Sequence, residues 1–264
     1  MLSLLCDYNS PMPRTAVVIG GTRRIGRWVS EALLAAGHRV HAVYSSDDAA
    51  AEAFAREMAG AGHSVPIYRA DMLDEQQART LMSRVAEAAG GFDTLIYCPG
   101  MAQSGAIIGA SGEELTALWQ SNVLGAHHAV VAAAPYLRLA GQGGAEDAAS
   151  DTPGGRIVLF LSAGVDSAKA FRDVPLYAAS KAMLLSYARS LARELAPAGI
   201  TVNAVALGVT ELTPEGAPVV DIERLPTGRR VSQEDLAAAL WYLLGPSSDQ
   251  VTGTVVNLAG GFGL

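Results

Sequence analysis

Two kinds of segment alternate along this chain, and that alternation limits the fold more than any single residue does. Short apolar runs occur at 14–19 (RTAVVI), 39–44 (RVHAVY), 64–69, 93–98 (DTLIYC), 156–161 (RIVLFL), 200–206 (ITVNAVA) and 254–258 (TVVNL). Most are apolar at consecutive positions, the pattern of parallel strands covered on both faces. Between them lie alanine-rich segments of helical period at 25–36, 48–60, 74–89, 112–140, 177–197 and 232–244, and a break is expected within 112–140. Gly37, Gly90 and Gly199 stand where helices need stops. Strict alternation of strand and helix predicts an α/β fold, a single doubly wound parallel sheet with helices on both faces and right-handed crossovers.

A chain of 264 residues, 50% hydrophobic, is long enough to bury a large core in one domain. The glycine-rich stretch at 140–155 (AGQGGAEDAASDTPGG) reads as a surface loop within that domain, not a linker. A formal charge of -7 with scattered arginines argues against nucleic acid or an anionic membrane surface as partner. No run reaches the ~18 apolar residues of a membrane span. Cys6 and Cys98 make neither a metal spacing nor a disulfide framework, which suits a reducing cytoplasm. Residues 1–12 lack a basic start and a small-residue cleavage site, so they read as a flexible N-terminal tail rather than a signal peptide.

After the first apolar run comes GGTRRIG (20–26). Gly20 permits the turn and Gly26 permits close helix–strand packing, while the amides and dipole of the following helix favour a pyrophosphate. Arg23 and Arg24 add two guanidiniums beside that anion site. Dinucleotide sites that take NAD place an acid near the end of the second strand, on the ribose hydroxyls. Here that strand ends VYSSDD: Ser45 and Ser46 come first and can donate to a phosphate, whereas Asp47 and Asp48 come later and can serve as helix caps. The loop and strand end together point to NADP(H). In RADMLD (69–74), Asp71 can accept from an adenine amino group or cap a helix; Asp74 is the better placed cap.

The stretch YAASK places Tyr177 and Lys181 four residues apart, on one helix face. Bringing a tyrosine from pKa ~10 toward 7 takes about 4 kcal/mol of differential interaction, which a neighbouring ammonium and a cationic cofactor ring can supply. Of the 19 basic residues only Lys169 and Lys181 are lysines, so the lysine beside Tyr177 marks a need for a compact ammonium. Ser162 ends the run RIVLFLS, 15 residues before Tyr177, where it can hold a carbonyl or cap a turn. Asn122, a poor helix former in an alanine- and leucine-rich region, either exposes a carbonyl to water or makes a buried kink.

The order of glycine loop, Asp after the third strand, helical Asn, Ser at a strand end and YxxxK resembles the short-chain dehydrogenase/reductase family over about 13–264, including LARELAPAGITVNAVALG and the tail VTGTVVNLAGG. The resemblance implies a Rossmann-type domain of about seven strands. Tyr177 would be the general acid and base, and Lys181 would lower its pKa and bind the nicotinamide ribose. Ser162 would orient the carbonyl, and Asn122 would hold a water that reloads the tyrosine. It implies a cofactor cradle of Gly20, Thr22, Arg23, Arg24, Ile25, Gly26, Ser45, Ser46, Asp71, Met72, Pro99, Gly100, Tyr177, Lys181, Gly208 and Thr210, with no metal.

Arg24 resembles the loop of pteridine reductases, but those carry Asp where this chain has Ser162, a feature shared with general carbonyl reducers and 3-oxoacyl-thioester reductases. Three readings follow: an NADPH-dependent reductase of a carbonyl or related imine, a 3-oxoacyl-thioester reductase, and a non-catalytic NADP-binding sensor. The segments 163–176 and 209–228 would line the substrate site, and helices 112–140 and 177–197 resemble the family's dimer-forming pair, implying a homodimer or homotetramer. Three departures stand out. Ile19 replaces a threonine and Tyr97-Cys98-Pro99-Gly100 replaces Asn-Asn-Ala-Gly, so both ends of a polar bridge read as apolar. Leu207 replaces a proline before Gly208, which should loosen that segment.

Overall fold

Seven strands, β1 (Thr15–Ile19), β2 (Arg39–Tyr44), β3 (Ile67–Arg69), β4 (Thr94–Tyr97), β5 (Arg156–Ser162), β6 (Thr201–Leu207) and β7 (Val255–Leu258), form one sheet in the order β3-β2-β1-β4-β5-β6-β7. The computed structural model describes residues 13–141, 154–167, 169–212 and 220–263. The expected tail at 1–12 and most of the expected loop at 140–155 lie outside the described residues. Every strand pair is parallel. The chain steps outward from β1 to β3 and then returns to the other side of β1. Strand order therefore reverses between β1 and β4, and a crevice opens at their carboxyl ends.

The helices are α1 (Arg24–Ala35), α2 (Asp48–Gly60), α3 (Glu75–Ala89), α4 (Gly112–Trp119), α5 (Gly125–Gly141), α6 (Pro175–Leu195) and α7 (Gln233–Leu244). Successive strand residues face opposite sides. Val17, Ile19, Leu95 and Leu159 join a core with α3, α5 and α6, whereas Ala16, Val18, Ile96 and Val158 join one with α1, α2 and α7. The unbroken apolar runs of the central strands are thereby explained: β1, β2, β4, β5 and β6 are buried on both faces, whereas β3 and β7 at the two edges are only partly buried. No helix among the described residues is long and apolar enough to cross a membrane.

Where elements depart from expectation, local chemistry gives the reason. β3 starts at Ile67 and not at 64, because Pro66 has no N–H for the ladder, although its carbonyl still accepts from Ala42 at 3.0 Å. α6 starts at Pro175, where the missing N–H costs nothing, and gives way at Leu195 to a 3-10 turn containing Pro197. The 112–140 segment does break, through a π-turn at Gln120–Leu124. Leu207 does not loosen its segment. It pairs with Ser162 on one side and Leu258 on the other, extending β6 by a ladder position that a proline N could not donate to.

The expected loss of a polar bridge holds on one side only. Ile19 is buried at 2% exposure and its carbonyl accepts from Cys98 N at 3.1 Å, so backbone alone joins β1 to the turn after β4. Tyr97 is not an apolar replacement, because its buried hydroxyl donates to the Ser121 carbonyl at 3.3 Å. A Cβ on Gly125 would stand 2.4 Å from that hydroxyl, so a glycine is required there. Ile19→Thr should therefore strand a hydroxyl in the core and destabilise by about 1–3 kcal/mol. Denaturant titration checks this, and an unchanged or higher midpoint would mean that the introduced hydroxyl finds a partner.

Candidate active site

Because parallel strands point the same way, their carboxyl ends share one edge of the sheet, and the first loop and Ser162 both lie there. The first loop lies over the reversal between β1 and β4. Gly20 has φ +73 and packs on the Pro99 ring, and a Cβ on Gly26 would lie 2.0 Å from the Gly20 carbonyl oxygen. Loop and helix are thus pressed together as closely as backbone allows. Gly21 N donates to the Val43 carbonyl at 3.0 Å and Ser30 Oγ donates to the Gly21 carbonyl at 2.8 Å, which pins the loop from both sides. Thr22 is buried and Ile25 packs against the α1 core.

The helix that follows is electrostatically open. α2, α3, α4 and α7 are capped by Asp47, Asp74, Ser111 and Ser232, but α1 has no side-chain cap and no acid in its first turn. Its first amides and dipole favour an anion in the crevice. The cradle therefore fits a dinucleotide diphosphate: a Cβ at Gly20 or Gly26 would intrude on it, and no carboxylate competes for it. Among the described residues Arg24 is the one non-glycine with positive φ, at +51. This left-handed conformation costs an L-residue about 1–2 kcal/mol.

Ser45 and Ser46 form an exposed bend after β2. Arg23 is ion-paired with Asp47, which also caps α2 by accepting from Ala50 N at 3.0 Å. Asp71 spends one carboxylate oxygen on Leu73 N at 2.9 Å, and Asp74 is the cap of α3. Met72 is buried, and its carbonyl is bonded to His128 Nδ1 at 2.9 Å. Gly208 N donates to the Leu258 carbonyl at 2.9 Å, and Thr210 bridges to Val231, closing the segment that leaves β6. Of the expected substrate cover at 209–228, residues 213–219 lie outside the described residues.

The four residues expected to do chemistry converge. Tyr177 and Lys181 lie on the first turns of α6, with the Lys181 ammonium 5.9 Å from the centre of the tyrosine ring. Ser162 ends β5, near enough to the Tyr177 hydroxyl to act on its pKa. Burial raises the Tyr177 hydroxyl above its ordinary pKa, and Ser162 pulls it partly back. Lys181 is 3% exposed and donates to the Phe160 carbonyl at 2.9 Å; burial lowers its pKa to about 8. At neutral pH the pair is thus a protonated phenol beside an ammonium.

Asn122 sits in the π-turn, fully buried. Its Oδ1 accepts from Met101 N at 2.8 Å, and its Nδ2 donates to the Met101 carbonyl at 3.0 Å and Ser180 Oγ at 2.9 Å. Ser180 Oγ in turn donates to the Tyr177 carbonyl at 2.7 Å. A chain of bonds therefore runs from the loop after β4 to the helix turn bearing the tyrosine. Gly100 lies between: a Cβ there would be 2.9 Å from Lys181 Nζ and 3.0 Å from Asn122 Oδ1. Sequence reading missed Ser180; the available signal was a serine three residues after Tyr177 on the buried face of an amphipathic helix. Lys169 stays at the rim, its ammonium over the Phe171 ring at 5.3 Å.

With this geometry in hand, the comparisons with known proteins agree. Residues 20–263 match a family model described as enoyl-(acyl carrier protein) reductase. Carbonyl reductase family member 4 of Danio rerio is 29% identical over 96% of this chain and 99% of its own length. Acetoacetyl-CoA reductase of Rhizobium meliloti is 29% identical over 95% of this chain and 98% of its own. A short-chain dehydrogenase from Burkholderia cenocepacia, solved in complex with NADP, superimposes with a TM-score of 0.81 at 31% identity, covering 96% of this chain and 99% of that one. The chain belongs to the short-chain dehydrogenase/reductase family.

Arg24→Gly should relieve the left-handed strain, offset in part by glycine's greater unfolded-state freedom, and stabilise by about 0.5–1 kcal/mol. A midpoint below that of the parent protein would show that the arginine side chain contributes contacts outweighing its backbone cost.

Proposed function

We propose that the protein is an NADPH-dependent oxidoreductase that reduces a carbonyl, or a related C=N bond, to the alcohol or amine. The observation that supports this most strongly is the convergence of half-buried Ser162 and Tyr177 with buried Lys181, the tyrosine's helix turn being bonded through Ser180 to Asn122. The cofactor part draws on the open α1 terminus, the basic loop and the NADP bound by the Burkholderia relative. Gly20, Thr22, Ile25 and Gly26 would hold the diphosphate, with Arg24, Ser45 and Ser46 at the 2′-phosphate. Lys181, Pro99, Gly100, Gly208 and Thr210 would hold the nicotinamide half. When bound, NADPH supplies a hydride.

The chain's own residues supply the rest. Ser162 donates a hydrogen bond to the carbonyl oxygen and fixes it in front of Tyr177. The Tyr177 hydroxyl, kept protonated by its burial, gives its proton to that oxygen as negative charge develops there. The Lys181 ammonium stabilises the phenolate left behind and passes a proton back to it, with Asn122 and the π-turn leading toward solvent. A π-turn frees main-chain carbonyls from the regular ladder, which is why such turns recur at functional sites.

The acetoacetyl-CoA reductase relative and Ser162 both favour a 3-oxoacyl thioester as a second, narrower reading. A cavity of about 290 Å³ lined by Gln103, Ser104, Ala106, Ile108, Glu114 and Leu176 adjoins the residue before Tyr177, with Ile108 largely exposed. Leu176 and Ile108 offer apolar contact for an acyl chain there, beside the polar Gln103 and Glu114.

Tyr177→Phe should lower NADPH oxidation with carbonyl acceptors by about a thousandfold or more while leaving NADPH affinity within about twofold. In the parent protein, reduction should fall as pH rises through about 8, where the Lys181 ammonium loses its proton. Steady-state rates and fluorescence titration over a pH range from about 6 to about 10 check both, and undiminished turnover in the phenylalanine variant would sink the mechanism.

A further inference from the structure

The 2′-phosphate end of the cradle holds a difficulty that the sequence does not advertise. Ser45 and Ser46 are followed at once by Asp47 and Asp48. Two carboxylates next to a phosphate dianion weaken its binding, and an acid near this strand end is the feature that favours free ribose hydroxyls. In the structure each carboxylate is engaged by an arginine from another element. Arg23, in the loop before α1, pairs with Asp47.

Arg69, the last residue of β3, reaches across the sheet edge. Its guanidinium lies 3.3 Å from the Asp48 carboxylate, and its Nε donates to the Ser45 carbonyl at 3.3 Å.

The remaining charges nearby are otherwise committed. Arg27 is paired with Glu31 and Glu57, and Glu52 with Arg56. Among the described residues Arg24 takes part in no ion pair, so at the end of β2 Arg23 and Arg69 answer Asp47 and Asp48 and the Arg24 guanidinium is uncommitted. Neither exposed pair contributes much to stability. Their effect is instead on the potential at the strand end, within a Debye length of any anion bound there.

We propose that Arg69 is a specificity-determining residue for the cofactor: it neutralises Asp48 and holds the Ser45 backbone, so that a strand end rich in acid accepts a 2′-phosphate. This rests on the NADPH reading above. Arg69 lies outside the glycine loop, so its replacement leaves the diphosphate cradle intact. The arrangement divides the labour among the arginines. Arg24 is left for the phosphate, whereas Arg23 and Arg69 cancel the carboxylates that would repel it.

The test is a four-way cycle of cofactor affinity, with NADPH and NADH titrated at fixed ionic strength into the parent protein, Arg69→Gln, Asp48→Asn and the double variant. Arg69→Gln should weaken NADPH about 5- to 20-fold and move NADH by less than about twofold. Asp48→Asn should restore most of the lost NADPH affinity in the Arg69→Gln background while changing little in the parent, a coupling that a merely structural role would not produce. Arg69→Lys, which keeps the charge but not the fork, should fall between and guards against a folding defect in Arg69→Gln. If both cofactors weaken together, if neither does, or if Asp48→Asn fails to rescue, Arg69 does not set specificity. A parent protein that binds NADH as tightly as NADPH would overturn the cofactor reading itself, and this proposal with it.

Discussion

A single buried ammonium is the constraint on which the rest of the site depends. Lys181 is almost wholly removed from water, yet among the described residues its one charged group has only the Phe160 carbonyl as hydrogen-bond acceptor, with the face of the Tyr177 ring further off. Removing such a charge from water costs several kcal/mol. That cost shows in its pKa, lowered by burial to about 8, against the ~10.4 of an unfolded chain. Between these values the unfolded chain binds the proton and the folded one does not, so folding stability rises with pH in that window. Below about pH 8 the fold carries the full cost of the charge. The neighbouring structure is built around tolerating it: Gly100 gives up its side chain, and Asn122 turns its own polar atoms to Met101 and Ser180.

A second local cost lies at the other end of the crevice. Arg24 holds a left-handed backbone conformation at the start of α1, where glycine would be comfortable. Strain kept at a helix terminus that also lacks a cap and a first-turn acid is hard to explain by folding alone, and easy to explain by an anionic ligand. Both expensive features, a buried cation and a strained arginine, therefore sit at the two ends of one proposed dinucleotide site.

Much of this was legible in the sequence. The apolar runs marked all seven strands, the central five because both faces are buried, and helix boundaries fell within a few residues because prolines, glycines and capping side chains are local signals. Asn122 was legible as a misfit in an alanine-rich helix, and the π-turn shows why it stands there. The misses were of another kind. Arg69 and Tyr97 act through partners distant in sequence, so nothing local distinguished them, and Ser180 was passed over although its place on the buried face of α6 marked it. Pairing of Arg23 with Asp47 was likewise invisible, since it needs the approach of the first loop to the end of β2. Leu207 was read as loosening its segment because a proline was absent, whereas the gain of a ladder N–H decides the outcome.

Hydride delivery to a carbonyl carbon, with protonation of its oxygen by Tyr177, is the central chemical claim. Its most direct test is isotopic: NADPH deuterated at the transferring position of the nicotinamide, incubated with the protein and acetoacetyl-CoA or another accepted ketone, followed by mass spectrometry of the product. Deuterium at the new carbinol carbon in the parent protein, and no labelled alcohol from Tyr177→Phe, is the predicted result. A product without label, or label transfer undiminished by loss of the tyrosine hydroxyl, would contradict it.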